Sequence, residues 1–400
     1  MIAGEMISIA EALQLIRENT GSPSEVLVDL PESLGHKLTR DIHSDIDSPP
    51  HDKSLVDGYT VQSNDLLHGT RIFEVQEEIT AGEVPTKRVE AGQTSRIMTG
   101  APMPAGADCV VMIEQSDLSS DGDQVQLSLD SPLLAGTNVM PRGKSMQSGE
   151  MVLEAGHTVR PIEIALLAEV GCNQVPVIKR PTVAVMSTGD ELVEPGQTPA
   201  AGQIRNSNSY MLAALAKRSG AIPSNLGIGR DNQKDLARLV DEGLKHDVLL
   251  LSGGVSAGVL DLVPSVLEAA GVQKVFHKVH LKPGKPVWFG VGPNGQLVFG
   301  LPGNPVSSLV CFHLFVRAAM RQLLGVEDLS HMTHKLVAAH VHRGDRPTYF
   351  PAKFAAVGVS LVDWKGSADM RSLTEANCLV YFPPGDHEVA AGTDVDVYWL

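Results

Sequence analysis

Hydrophobic and polar positions change period several times along the chain. Ile9, Ala12, Leu13 and Ile16 recur at helical spacing behind the capping-box pair Ser8 and Glu11, which predicts a short amphipathic helix ended by Gly21 and Pro23. From about Val61 to Leu129 the texture turns to short β-rich runs such as RIFEVQEEI and DCVVMIE, separated by Gly, Pro and Asp turns, as in a compact β domain. Between Glu150 and Gly171 the stretch RPIEIALLAEVG is helical again, with Pro161 in the first turn and Gly171 just past the last.

From about Pro176 to Leu324 apolar β-branched runs alternate with amphipathic helices: TVAVMS, SYMLAALAKRSG, QKDLARLVDEGLK, DVLLLSGG, and a helix beginning near Asn304. That alternation predicts a largely parallel sheet with helices on both faces. After Val326 the runs KLVAAHVHR, TYFPAKF, NCLVYFPPG and DVDVYWL read as strands of a small closing β domain. The expected fold class is therefore multidomain α/β plus β.

Composition narrows the function. The chain has 400 residues, 43% of them hydrophobic and 20% charged, which excludes wholesale disorder and predicts several domains. Its net charge of −15 and aromatic content of only 4% argue against nucleic acid and anionic membranes as partners. No run reaches the ~18 apolar residues of a membrane span. Cys109, Cys172, Cys311 and Cys378 lie far apart without a CxxC pair, so a reducing, cytoplasmic setting is expected.

Ligands of open α/β sheets bind beyond the carboxyl ends of the strands, which directs attention to three turns. Ser187, Thr188 and Gly189 open STGDE; Ser252, Gly253, Gly254 and Ser256 belong to SGGVS; Pro302, Gly303, Asn304 and Pro305 belong to LPGNPVS. Any one of these is most simply a tight turn. Together they suggest a cradle of backbone N–H groups for an anion, with Asn304 capping a helix that starts at Pro305.

Between the second and third turns, HKVHLKPGKP gathers Lys278, His280, Lys282 and Lys285 in a strongly acidic chain. In a strand, Lys278, His280 and Lys282 would share a face, and an oxyanion would offset their mutual repulsion. Glu191, Asp231 and Asp261 fall in loops of the same α/β segment, and hard carboxylate oxygens beside cations suit a Mg²⁺-assisted phosphate site. Asp57 and Thr99, in other segments, read alone as a turn Asp and a loop Thr. The pairs His331/His334 and His340/His342 lack a nearby Cys or an HExxH context, so they read as polar surface rather than zinc ligands.

The ordered motifs SPPHDKSLVDGYTV, RIMTGAPMPAGADCVVMIE, STGDELVEPGQ, GQIRNSNSYML, SGGVSAGVLD, HLKPGKP and GLPGNPVSS resemble those of the molybdopterin molybdenumtransferases, the MoeA proteins and the related gephyrin E domain. The resemblance spans nearly the whole chain and is thinnest in the last β domain, where Gly366, Ser367 and NCLV match. It implies an elongated N-terminal α+β domain of residues 1–58 and 138–176, an inserted β domain of residues 59–137, a molybdopterin-binding α/β domain of residues 177–326, and a C-terminal β-barrel-like domain of residues 327–400. It also implies a homodimer whose cleft is lined by the α/β domain of one subunit and parts of the other.

The implied reaction takes adenylylated molybdopterin and molybdate, cleaves the phosphoanhydride with a divalent metal such as Mg²⁺, and releases AMP. Implied partners are the molybdopterin adenylyltransferase and recipient molybdoenzymes. Asp57, Thr99, Asp261, Lys278 and Lys282 match catalytic positions. The three turns with Lys285 and Ser367 would bind substrate, and Glu191 and Asp231 would hold the metal, although the residue types leave Asp57 and Asp261 open as ligands too. Two departures stand out: Lys144 and Ser145 in RGKS replace two acids, and Lys53 stands in HDKS where Asn is usual. They make a non-catalytic molybdopterin-binding chaperone or scaffold the alternative to the insertase. A nucleotide hydrolase on the same core is a third reading.

Overall fold

Strand and helix in this chain follow from where successive side chains find cover. In the computed structural model, which describes residues 6–254, 262–327 and 331–400, six strands form one sheet. Their spatial order is Ile222–Gly229, Thr182–Thr188, Val248–Ser252, Leu297–Leu301, Trp288–Val291 and Gln273–His277. The first four run parallel, and Trp288–Val291 pairs antiparallel with its neighbour on each side.

Alternate residues of the central strands enter two different cores. Val183, Val185, Val248 and Leu250 join Leu212 and Leu215 of the helix Asn208–Arg218 on one face. Ala184, Met186, Leu249 and Leu251 join Leu236 and Leu239 of the helix Gln233–Gly243 on the other. Strands covered on both faces need continuous apolar runs, which is why TVAVMS and DVLLL carry no polar alternation.

A second sheet, five-stranded and antiparallel, follows the order Met332–Lys335, Asp394–Trp399, Cys378–Phe382, Thr348–Ala355 and Gly358–Leu361. A bridge between Leu336 and Val359, with Val337 N–H donating to the Val359 carbonyl at 2.9 Å, joins its two edges, so the sheet curls into a barrel-like form. KLVAAHVHR is not one strand. It breaks after Lys335, and His340–His342 pairs instead with His387–Val389. His342 is only 3% exposed, and burial lowers the pKa of both His340 and His342 below the ordinary histidine range, which corrects the reading of that pair as surface.

The chain divides into two compact units, Met1–Val26 with Ile178–Leu400, and Leu27–Val177. The opening helix Ile9–Asn19 has the capping box expected of Ser8 and Glu11, but Ala12 and Ile16 pack into the α/β core rather than with residues 27–58. In the second unit a mixed six-stranded sheet holds the runs Ile72–Ile79 and Cys109–Met112. Beside it, the helix Pro161–Glu169 packs Leu167 with Leu38 and Val175. Gly58 faces the Val111 carbonyl so closely that a Cβ would lie 1.9 Å from its oxygen, so this position admits only glycine and fixes the turn that presents Asp57.

Candidate active site at the sheet's carboxyl edge

The chain leaves Thr182–Thr188 for the edge strand Ile222–Gly229, then crosses back to Val248–Ser252 on the other side. Such a reversal opens a crevice at the carboxyl ends of the two inner strands. A cavity of about 780 Å³ lies there, lined by all three predicted turns: Ser187, Thr188 and Gly189; Ser252, Gly253 and Gly254; Pro302, Gly303, Asn304 and Pro305. Glu191 and Asp231 line it too. Ser256 and Asp261 lie outside the described residues.

Glycine is required where the turns approach one another. Gly253 has φ 93°, and a Cβ there would sit 2.7 Å from the Thr188 carbonyl oxygen; Gly254, at φ 63°, would meet Val263 at 2.6 Å and the Thr188 hydroxyl at 2.7 Å. The two strand ends therefore pack backbone against backbone and leave room only for a ligand's own atoms. Asn304 does cap the helix starting at Pro305, but through its backbone: its side-chain amide donates to the Ser367 hydroxyl at 3.0 Å instead. Ser367 also accepts from Val306 N–H at 3.1 Å, so this predicted residue braces the third turn.

Asn206 and Asn208, which the sequence does not single out, also line the cavity. Asn208 Nδ2 donates to the Ser252 hydroxyl at 2.8 Å and the Gly303 carbonyl at 2.7 Å, tying two turns together, while the Ser187 hydroxyl donates to Asn206 Oδ1 at 2.9 Å. These bonds leave Asn208 Oδ1, Asn206 Nδ2 and the Thr188 hydroxyl buried with no partner. Buried polar atoms are ordinarily satisfied. One acceptor, one donor and one hydroxyl thus remain without a protein partner on residues that line the cavity. The sequence sign is IRNSNSY, two asparagines at i and i+2 at a helix start, but their partners lie 19 residues away for Asn206 and 44 and 95 residues away for Asn208.

The acids are arranged more loosely. Glu191 folds its carboxylate over Gly189, whose absent Cβ would lie 2.4 Å from it, and Asp231 N–H donates to Asp190 Oδ1 at 3.2 Å. The cap of the helix Gln233–Gly243 is Asn232, not Asp231, so Asp231 is free of that duty. Among the described residues no three His, Cys, Asp or Glu groups surround a common point.

Lys278, Lys282 and Lys285 are not among the cavity's lining residues, although Pro286 is. The expected strand face of Lys278, His280 and Lys282 does not form. The strand stops at His277, Lys278 turns to φ 71°, and Lys278 N–H and Val279 N–H donate to Val287 and Lys285 carbonyls at 2.9 and 3.0 Å, closing a tight loop. Gly284, at φ 123°, fits where a Cβ would strike Cys311 and Leu281. The loop is then stitched to the C-terminal sheet: Lys282 N–H donates to the Pro347 carbonyl and Tyr349 N–H to the Lys282 carbonyl, both at 2.9 Å. Arg346 Nη1 adds a bond of 3.1 Å to the Leu281 carbonyl. Backbone bonds thus fix the loop, and among the described residues none of its three ammonium groups is engaged in an ion pair.

Asp57 and Thr99, 42 positions apart, are brought together. Thr99 donates to Asp57 Oδ1 from its N–H at 2.7 Å and its hydroxyl at 2.8 Å. Those bonds, the backbone one first, hold the exposed Asp57 carboxyl below its ordinary range, so it is an anion at neutral pH.

Three family models account for the chain: the MoeA N-terminal region (domain I and II) over residues 7–171, a probable molybdopterin binding domain over 184–322, and the MoeA C-terminal region (domain IV) over 326–400. The chain belongs to the MoeA family of molybdopterin molybdenumtransferases. It is 34% identical over 405 residues to a molybdopterin molybdenumtransferase of Staphylococcus aureus, covering 98% of this chain and 95% of that one, and 33% identical to one of Staphylococcus epidermidis. The molybdopterin biosynthesis MoeA protein of Pyrococcus horikoshii superposes with a TM-score of 0.83 over 99% of both chains at 30% identity. Membership makes this chain an enzyme, a transferase of molybdenum cofactor biosynthesis, and the model named for molybdopterin binding covers the cavity described above. No helix among the described residues is long and apolar enough to cross a membrane.

Proposed function

We propose that this transferase inserts molybdate into adenylylated molybdopterin, with divalent-metal-dependent cleavage of the phosphoanhydride and release of AMP. The observation that carries the reading is the cavity of about 780 Å³ that the three turns enclose with Asn206 and Asn208 at the carboxyl edge of the sheet. The amides orient the pterin, and the N–H groups of the turns receive the phosphates. Lys282, with Lys278 and Lys285, neutralises molybdate or phosphate, and its fixed backbone limits the search of the ammonium. Asp57, held ionised by Thr99, orients water or a proton on the reacting oxygens.

The hard oxygens of Glu191 and Asp231 suit Mg²⁺, which commonly takes only one or two protein carboxylates and completes its shell with phosphate oxygens and water. Mg²⁺ held there would supply charge neutralisation at the phosphoanhydride. The chain works as a homodimer in the cytoplasm, receiving substrate from an adenylyltransferase and passing the cofactor to molybdoenzymes.

RGKS does not weigh against catalysis through its backbone. Lys144 N–H donates to the Pro141 carbonyl at 3.2 Å and Ser145 N–H to Ser48 at 2.9 Å, so the turn forms without the two acids. AMP release from adenylylated molybdopterin is the test, with and without molybdate and Mg²⁺. Release that needs both supports the insertase. Release independent of molybdate would identify a hydrolase, and tight binding without release a chaperone or scaffold.

A further inference from the structure

The cavity at the sheet edge holds one cation that the reaction above does not use. Its lining carries two carboxylates, Glu191 and Asp231, and among the described residues that line it Arg205 is the one cationic side chain. The three lysines of the loop before Pro286 lie outside the lining. A cavity that receives phosphates, and whose other charges are negative, needs a local positive charge to offset them.

Backbone pairing fixes where Arg205 sits. Ile204–Arg205 runs parallel to Leu192–Val193, with Ile204 N–H donating to the Glu191 carbonyl and Asn206 N–H to the Val193 carbonyl, both at 2.9 Å. Arg205 Nε donates to the Gln197 carbonyl at 3.1 Å. That turn closes on itself, since Gln197 N–H donates to the Glu194 carbonyl at 2.9 Å and Glu194 N–H to Gln197 Oε1 at 3.2 Å. Its acid, Glu194, accepts from the Tyr210 hydroxyl at 2.9 Å rather than from the guanidinium. Among the described residues Nη1 and Nη2 of Arg205 thus have no partner, in a chain of net charge −15 whose Arg142, Arg160 and Arg238 are all held in ion pairs.

We propose that Arg205 is a substrate-binding residue of this transferase, whose two free Nη groups take a phosphate of the ligand seated in the cavity. The inference rests on the proposed function and names the cationic side chain that the phosphate-receiving turns themselves lack. A guanidinium presents paired N–H donors in a planar fork that matches two phosphate oxygens. The Nε bond to Gln197 holds that fork in place, so less freedom is lost when the phosphate arrives. Adenylylated molybdopterin offers the pterin's own phosphate and the adenylyl one, and either presents the oxygens that the fork needs.

The test measures binding of AMP, adenosine and molybdopterin by the full-length wild type, Arg205→Gln, Arg205→Lys and, as a charge control, Arg238→Gln, with circular dichroism checking each fold. Arg205→Gln should weaken AMP or molybdopterin by about ten- to a hundredfold, the worth of hydrogen bonds to a charged group. Loss confined to AMP places the fork on the adenylyl phosphate, and loss confined to molybdopterin places it on the pterin's own; each supports the assignment. Arg205→Lys should recover part of the loss, because it keeps the charge without the fork. Arg238 pairs with Asp235 on the helix Gln233–Gly243, and its replacement should leave the affinities unchanged. Equal affinities in the wild type and Arg205→Gln, an equal loss in Arg238→Gln, or a loss for adenosine as large as for AMP would overturn the proposal. AMP release from adenylylated molybdopterin is measured alongside. Its absence in the wild type would sink the insertase reading, whereas release with unchanged half-saturation in Arg205→Gln would sink this assignment alone.

Discussion

The cleft at the sheet edge and the lysine loop are built by opposite means, which under the proposed function suits them to different parts of the reaction. In the cleft, Thr188, Asn206 and Asn208 are buried and uncharged, and Asn208 ties two turns together, so under the proposed function this region would discriminate by shape and hydrogen bonding. In the loop, backbone bonds to Pro347 and Tyr349 fix the chain while Lys282 stays half-buried and Lys285 exposed, so in the proposed reaction these residues would act by charge and tolerate variation in the anion. An enzyme joining an organic pterin to a small oxyanion needs both kinds of site.

Three substitutions probe that contrast, and a fourth outside both regions serves as the control. The largest effect is expected from Gly253→Ala, whose methyl group would meet the Thr188 carbonyl in a left-handed backbone. It should cost about 1–3 kcal/mol in urea unfolding and abolish pterin binding. Lys282→Ala comes next: turnover should drop about a hundredfold with stability within about 0.5 kcal/mol of wild type. Asn208→Ala removes the bonds to Ser252 and Gly303, so binding of adenylylated molybdopterin should weaken by about 1–3 kcal/mol.

The smallest effect lies in neither region. Glu163 is buried under Arg160, whose side-chain bonds chiefly lower its pKa to about 2. A carboxylate so depressed stabilises the fold above its unfolded pKa of about 4.3, and that contribution fades as pH falls toward 2. Glu163→Gln should therefore lower the melting temperature at pH 7 without changing pterin or molybdate affinity. The gap to wild type should narrow between about pH 4 and pH 2.

Local signals were legible where one short segment settles its own conformation. The Ser8–Glu11 capping box, Pro161 and Gly171 at the ends of their helix, and the three turns after apolar strands all read correctly because backbone sterics and adjacent capping groups decide them. Features that need a distant partner were not legible. Asn206 and Asn208 acquire meaning only when Ser187, Ser252 and Gly303 arrive from other strands. The lysine segment had a strand's alternation, but the turn at Lys278 and the bonds to the C-terminal sheet overrode it. His340 and His342 looked like surface because nothing near them in sequence announces His387, which the fold sets opposite.

The division of labour between the two regions is tested most directly by AMP release measured over a range of molybdate and of adenylylated molybdopterin for Lys282→Ala and Asn208→Ala. Lys282→Ala should raise the half-saturating molybdate concentration and leave that of the pterin near wild type, while Asn208→Ala should do the reverse. Equal shifts in both constants for both variants would contradict the account, because cleft and loop would then act as one undivided site.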